Sequence, residues 1–188
     1  LGVVKRYVSG LDWIFSISNE AIILDDDCVP ELSFFPYCEE MLERYRDNDK
    51  VMLVSGQTMT DPGSFSEYSY YFSKFALIWG WATWKGAWKK FHEGMKLWPH
   101  LRETNWLSEI IKEPILRDYW RKSFDRAYEG RVGTWDYQWM FIFFLHGGLS
   151  AIPNNNLISN IGFGPGSVNT KDPTSENANM PTIPLNFP

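Results

Sequence analysis

An α/β fold, a sheet flanked by helices, is predicted by three stretches of this chain. Ala21-Ile22-Ile23-Leu24 is a short apolar run rich in β-branched residues, the pattern of a buried strand. Residues 33–46 set Phe34, Phe35, Tyr37, Cys38, Met41, Leu42 and Tyr45 on one side and Glu39, Glu40 and Glu43 toward water, the spacing of an amphipathic helix. Val51-Met52-Leu53-Val54-Ser55-Gly56 is a second buried strand. Strand, helix and strand in this order read as a βαβ unit, which implies that the two strands pair in parallel.

The other elements follow in order. Residues 2–15 carry Val3, Val4, Tyr7, Val8, Leu11 and Ile14 at close to helical spacing and predict an amphipathic helix. Ser16 to Glu20 is a polar connector into the first strand. Pro30, shortly after Asp25-Asp26-Asp27, forces the chain out of that strand, and Ser33 is placed to cap the helix that follows. Asp47-Asn48-Asp49 ends it. Gln57 to Glu67 is a polar loop around Pro62-Gly63, long enough to be functional. Tyr68 to Phe75 alternates aromatics with serines and reads as a strand, and Ile78 to Trp84 leads into a helix over 83–91. Residues 105–129 are helical in two pieces broken at Pro114, and Gly130 to Gly133 is a turn. Thr134 caps a helix running from Trp135 to His146, which Gly147-Gly148 stops. Short strands are expected at 149–152 and 156–159. Residues 1–164 therefore read as one domain, and 165–188, rich in Gly, Pro, Asn, Ser and Thr, as an irregular tail.

With 188 residues the chain has room for one domain with a real core. Its net charge of −5 gives no basic footprint, which argues against nucleic acid as a partner. Aromatic residues reach 17%, including 10 Trp, which points to extensive packing; tryptophan also stacks on sugar rings and lines pockets, and the count does not separate the two uses. Cys28 and Cys38 match no zinc or redox spacing and read as free thiols of a reducing, cytoplasmic setting. No signal peptide or membrane span is visible, the longest apolar run being Trp139 to Leu145; peripheral association with the inner face of the membrane stays open.

The chemistry is expected first at Asp25-Asp26-Asp27. Three adjacent carboxylates repel one another unless a cation or strong donors share the site, and the end of a buried strand is where open α/β sheets bind ligands. Mg2+ or Mn2+ takes one or two carboxylates together with substrate phosphates, so the triplet reads as a metal–diphosphate site; a solvated acidic turn is the alternative. Asp136 opens a helix among Trp135, Tyr137 and Trp139. It is either a dipole-favoured helix-start residue or a general base in an aromatic pocket. Trp79-Gly80-Trp81 packs closely or shapes a ligand pocket. His92, His100 and His146 are not spaced as metal pairs; the first two are expected to be exposed and the third favours a helix C-terminus. Gly162-Phe163-Gly164-Pro165-Gly166 reads as a flexible loop able to close over a ligand. There is no nucleophile elbow, Walker A loop or dinucleotide fingerprint.

Together these stretches resemble the GT-A glycosyltransferases, in particular bacterial family-2-like nucleotide-diphospho-sugar transferases of the haemolytic-protein-like type. The resemblance rests on Ile22 to Pro30, Tyr70 to Ser73, Ile78 to Trp84, Thr134 to Trp139 and Asn156 to Gly164. The pattern is also similar to the catalytic half of N-acetylglucosaminyltransferase I-like enzymes. It implies a Rossmann-like mixed sheet flanked by helices, with the nucleobase-binding βαβ half expected to precede Leu1. It further implies Asp27 as direct metal ligand, Asp25 contacting the metal through water or holding the ribose, and Asp26 supporting the sugar nucleotide. Asp136 becomes the catalytic base, and Trp79, Gly80, Trp81 and Trp135 border the acceptor.

The implied activity is metal-dependent, inverting transfer of a sugar from a nucleotide-diphosphate donor to a hydroxyl of a glycan or related acceptor, as in polysaccharide biosynthesis. Two departures stand out. Asp25 occupies a position that is often glutamate, and Ser167-Val168-Asn169-Thr170 lacks the histidine that completes the metal shell, so either Asn169 offers an amide oxygen in its place or the metal site is a weaker or different one. The rival readings are a non-catalytic nucleotide- or carbohydrate-binding remnant of the same fold and a metal-dependent phosphohydrolase. A sheet lacking its first half would expose an edge, which pairing into a homodimer would cover.

Overall fold

A computed structural model describes residues 2–60, 67–93, 95–167 and 170–186. The strands are β1 (Glu20–Ile23), β2 (Cys28–Pro30), β3 (Val51–Ser55), β4 (Tyr70–Ser73), β5 (Trp81–Trp84), β6 (Leu149–Pro153) and β7 (Ile158–Asn160). The helices are α1 (Val3–Ile17), α2 (Phe34–Arg44), α3 (Lys85–Lys89), α4 (Trp98–Leu101), α5 (Trp106–Ile110), α6 (Pro114–Tyr128) and α7 (Asp136–His146), with a 3-10 turn at Lys90–Glu93. Five strands make a mixed sheet in the order β1-β5-β3-β6-β4, and β2 and β7 form a separate two-stranded ribbon. The chain is thus mixed α/β with helices flanking the sheet.

The expected parallel pair is corrected in one respect. β1 and β3 do run the same way, but β5 lies between them, antiparallel to both. The parallel neighbour of β3 is β6. Trp81-Ala82-Thr83-Trp84, taken from the sequence as the lead into a helix over 83–91, is that fully buried intervening strand, and the helix begins only at Lys85. Aromatic and β-branched side chains suit a strand packed on both faces, and sheet pairing overrides the local helical spacing. The Asp-rich turn, taken as leaving the sheet at Pro30, instead enters β2, with Pro30 at the end of a short edge strand where no ladder donor is lost.

Alternation along β1 divides the core. Ala21 and Ile23 pack on a large cluster built by α1, α3, α5, α6 and α7, while Ile22 faces a second cluster built on α2. Trp81, Trp88 and Trp139 form the centre of the first, with the Trp139 ring centroid 6.2 Å from Trp81 and 5.6 Å from Trp88. Most of the surplus of tryptophan is therefore packing. Trp81 donates from Nε1 to the Tyr7 hydroxyl (3.1 Å), Trp88 to Asp12 (2.8 Å) and Trp98 to Asp125 (3.0 Å), so these indoles are buried with their N–H groups paired.

Several boundaries behave as the residues dictate. Pro114 is the first residue of α6, and α7 ends where Gly148 N donates to Phe143 O at 2.8 Å. Ser33 does precede α2, but its hydroxyl serves Glu31 and accepts from Leu185 N at 2.9 Å rather than capping the helix. Thr134 likewise turns its hydroxyl to the Asp136 side chain, and α7 starts at Asp136. The tail has no helix or strand among the described residues, yet it is packed down. Leu185 is buried with the α2 cluster, and Ile183 N donates to Asn156 O at 2.9 Å. Cys28 and Cys38 are free and buried, and His100 is exposed. The Pro62-Gly63 turn and the side chain of His92 lie outside the described residues.

Gly80 ends the loop between β4 and β5 at φ +63°, and its carbonyl accepts from Gly56 N at 2.8 Å. A Cβ there would stand 2.3 Å from Cδ1 and 2.6 Å from Cγ1 of Ile158, a residue with 2% exposure. Gly80→Ala is expected to cost roughly 2–4 kcal/mol from left-handed strain plus overpacking. Gly86→Ala, which meets nothing within 4 Å and lies in α3, is the control in urea unfolding, expected to be neutral or stabilising by up to about 1 kcal/mol.

Candidate functional site

β1 delivers Asp25, Asp26 and Asp27 to its carboxyl end, as expected of a strand followed by a tight polar turn. Cys28 N donates to Asp25 O at 3.1 Å and closes the turn. The ribbon β2–β7 then holds it, with Ile161 N donating to Asp27 O at 2.9 Å. Asn160 fixes the far side: its Oδ1 accepts from Gly162 N at 2.8 Å, and its Nδ2 lies 3.5 Å from Asp27 Oδ1. Gly162 lies so close that a Cβ on it would meet Asp27 Oδ2 at 2.0 Å. Ligand atoms of Asp25, Asp27 and Cys28 all fall within 4.8 Å of one another; among the described residues no other three His, Cys, Asp or Glu side chains converge in this way.

The electrostatics are those of crowded anions. Burial, and then the charges of Asp27 and Asp26, push the Asp25 carboxyl up from 3.8 to about 6. Burial followed by Asp25 and Asp27 pushes the Cys28 thiol up to about 12. The Tyr7 phenol, buried beside Asp25, is raised as well. A divalent cation would offset the carboxylate charge that adds to burial at all three, and two converging carboxylates are a donor set that fits Mg2+ or Mn2+. Cys28 is a softer neighbour than such ions select. Its hydrogen bond to Asp27, at 3.7 Å, keeps the thiol in a supporting position.

A pH dependence follows. The unfolded chain releases the Asp25 proton near 3.8 while the folded chain keeps it to about 6, so stability falls as pH rises across that window and is level above it. Thermal midpoints taken without metal should trace this descent, and Asp25→Asn should flatten it. A wild-type midpoint that climbs through the same window with the mutant unchanged would contradict the assignment.

Asp136 sits across from the triplet. The Thr134 hydroxyl donates to its Oδ1, which holds the carboxylate in one orientation at the first turn of α7. Trp135, just before it, stacks on Tyr7 (centroids 4.4 Å, planes 20° apart) and on Trp81 (5.7 Å, 26°). One cavity of about 1030 Å³ is lined by Asp25, Asp26, Asp27, Asp136, Trp79 and Trp135, among others. Trp79 packs edge to face on Phe163 with centroids 5.6 Å apart, and the Gly162–Gly166 loop forms part of the lining. Two residues expected at the acceptor side lie elsewhere. Trp81 has no exposure and reaches the cavity only through Tyr7 and Trp135, and Gly80 serves the backbone turn behind it. Asn169 lies outside the described residues.

Tyr7, Asn160, Arg126 and Arg131 also line the cavity, and none was singled out from the sequence as a site residue. Tyr7 read as one apolar position of an amphipathic helix, and nothing local marks its hydroxyl. Asn160 had a faint signal, an amide two residues before a glycine at the end of a strand. Arg126, in the last turn of α6, and Arg131, just beyond it, belong to no motif in the sequence. A smaller hollow of about 640 Å³ lies at the other end of the sheet, between Glu20, Arg46, Trp84 and Lys90, away from the carboxylates.

No protein-family model matches this chain, and no curated protein matches it in sequence. Among the described residues no helix is long and apolar enough to cross a membrane.

Proposed function

We propose that this chain is a GT-A-like glycosyltransferase that moves a sugar, with inversion, from a nucleotide-diphosphate donor to a hydroxyl acceptor such as a glycan. The observation that carries the reading is a single cavity with an acidic, strand-end cluster on one wall and a separately oriented carboxylate, Asp136, on another. Glycosyl transfer needs both: a place for the leaving diphosphate and a base for the incoming hydroxyl. The donor end lies at Asp25–Asp27, where Asp27 and Asp25 hold Mn2+ or Mg2+ and Asp26 supports the sugar nucleotide. When bound, the ion neutralises charge that builds on the leaving diphosphate. Asp136, fixed by Thr134, accepts the proton of the acceptor hydroxyl as that oxygen attacks the donor ring from the far side. Trp79, Trp135 and Phe163 position the sugars and exclude water, and such alignment itself lowers the barrier.

Calorimetry of UDP with and without Mn2+ tests the donor half. Binding that requires the metal supports the reading, and equal binding without it would remove the triplet from the mechanism. Release of free sugar with no dependence on an acceptor would favour the hydrolase.

A further inference from the structure

We propose that the acceptor carries a negatively charged group, a carboxylate or a phosphate, and that Arg126 and Arg131 bind it beside Asp136. The name "acceptor" rests on the sugar-transfer reading; the anion site itself rests on the cavity. Both arginines line that cavity, and they belong to the wall that also supplies Thr134, Trp135, Asp136 and Tyr137. They are held together by the backbone at the end of α6, where Arg131 N donates to Arg126 O at 2.8 Å. Arg131 is paired with Glu129, whereas Arg126 has no ion-pair partner among the described residues. Its charge reaches the Tyr137 phenol, which lines the same space and lies 3.5 Å from the Tyr119 hydroxyl.

A guanidinium at the end of a helix also satisfies the dipole, but that explains only Arg126 and not the second arginine on the same wall. The diphosphate has its own place at the triplet, on a different wall. An anion on the arginine wall therefore lies next to the base and not next to the leaving group. Arginine offers a planar fork that matches carboxylate and phosphate oxygens in pairs, whereas a neutral sugar needs no such fork. The same cation offsets the repulsion that an acidic acceptor would meet from Asp136.

The test uses the whole chain without metal or nucleotide, so that its result is independent of the donor site. NMR titration compares glucose, glucuronate and glucose 6-phosphate. Glucuronate, glucose 6-phosphate or both should bind at least about tenfold more tightly than glucose, and Arg126→Gln should remove that margin while Arg126→Lys keeps part of it. Preference between the two anions tells carboxylate from phosphate. The chemical-shift dispersion of each variant reports that it is folded, and Arg131→Gln provides a second disruption of the same site. Equal binding of all three probes, or a margin unchanged in both glutamine variants, would overturn the proposal. UDP–Mn2+ binding, measured separately, should be the same in wild type and both variants. Its absence in wild type would count against sugar transfer alone, whereas its loss only in the variants would reassign the arginines to the donor and overturn the anionic acceptor.

Discussion

Asp136→Asn is expected to lower turnover by about 10²–10⁴-fold, the usual contribution of a positioned general base, while UDP–Mn2+ affinity stays at the wild-type value. Asparagine keeps an oxygen that can accept from Thr134, so the start of α7 and the stacking of Trp135 on Tyr7 should survive. The substitution thus removes a proton acceptor and little else. The measurement is initial rate with whichever nucleotide sugar supports transfer, alongside calorimetry of the nucleotide. An unaffected rate would return Asp136 to the role of a helix-start residue. A wild-type chain that binds UDP–Mn2+ yet transfers no sugar from any donor would instead identify a binding remnant of the fold.

Asp27→Ala should abolish metal-dependent nucleotide binding. At one hundred times its dissociation constant a ligand stabilises the folded state by about 2.7 kcal/mol, which for a chain of this size raises the thermal midpoint by roughly 5–10 °C. That rise should be present in wild type with UDP and Mn2+ and missing in Asp27→Ala. Without ligand the variant should melt at or slightly above the wild-type temperature, because one of three mutually repelling carboxylates has gone. A variant that still shows the full rise would place the diphosphate elsewhere in the cavity.

The first prediction depends on tertiary structure more than the second. Asp25-Asp26-Asp27 was legible because strand and acidic turn are consecutive in the chain and governed by local chemistry, whereas β7, the ribbon partner that holds the turn, comes from residues 158–160. Asp136 carried two readings from sequence, and the choice between them turns on what lies across from it: residues 111 and 109 positions earlier in the chain, Asp25 and Asp27. Trp81 shows the opposite error. An indole beside a glycine looks like a pocket residue, but its neighbours Tyr7, Trp135 and Trp139 enclose it, and none of the three is near in sequence.

The α/β class, the positions of α2, α6 and α7, the buried β3 and the acidic strand end can be read from local patterns, because periodicity, proline, glycine and like-charge crowding act over a few residues. That β5 divides β1 from β3, that Asn160 and Gly162 clasp Asp27, and that Arg126 and Arg131 share a cavity with the triplet emerges from three-dimensional packing. Those outcomes are set by which strand edges pair and which side chains meet across the sheet, and such long-range contacts leave almost no mark on local spacing.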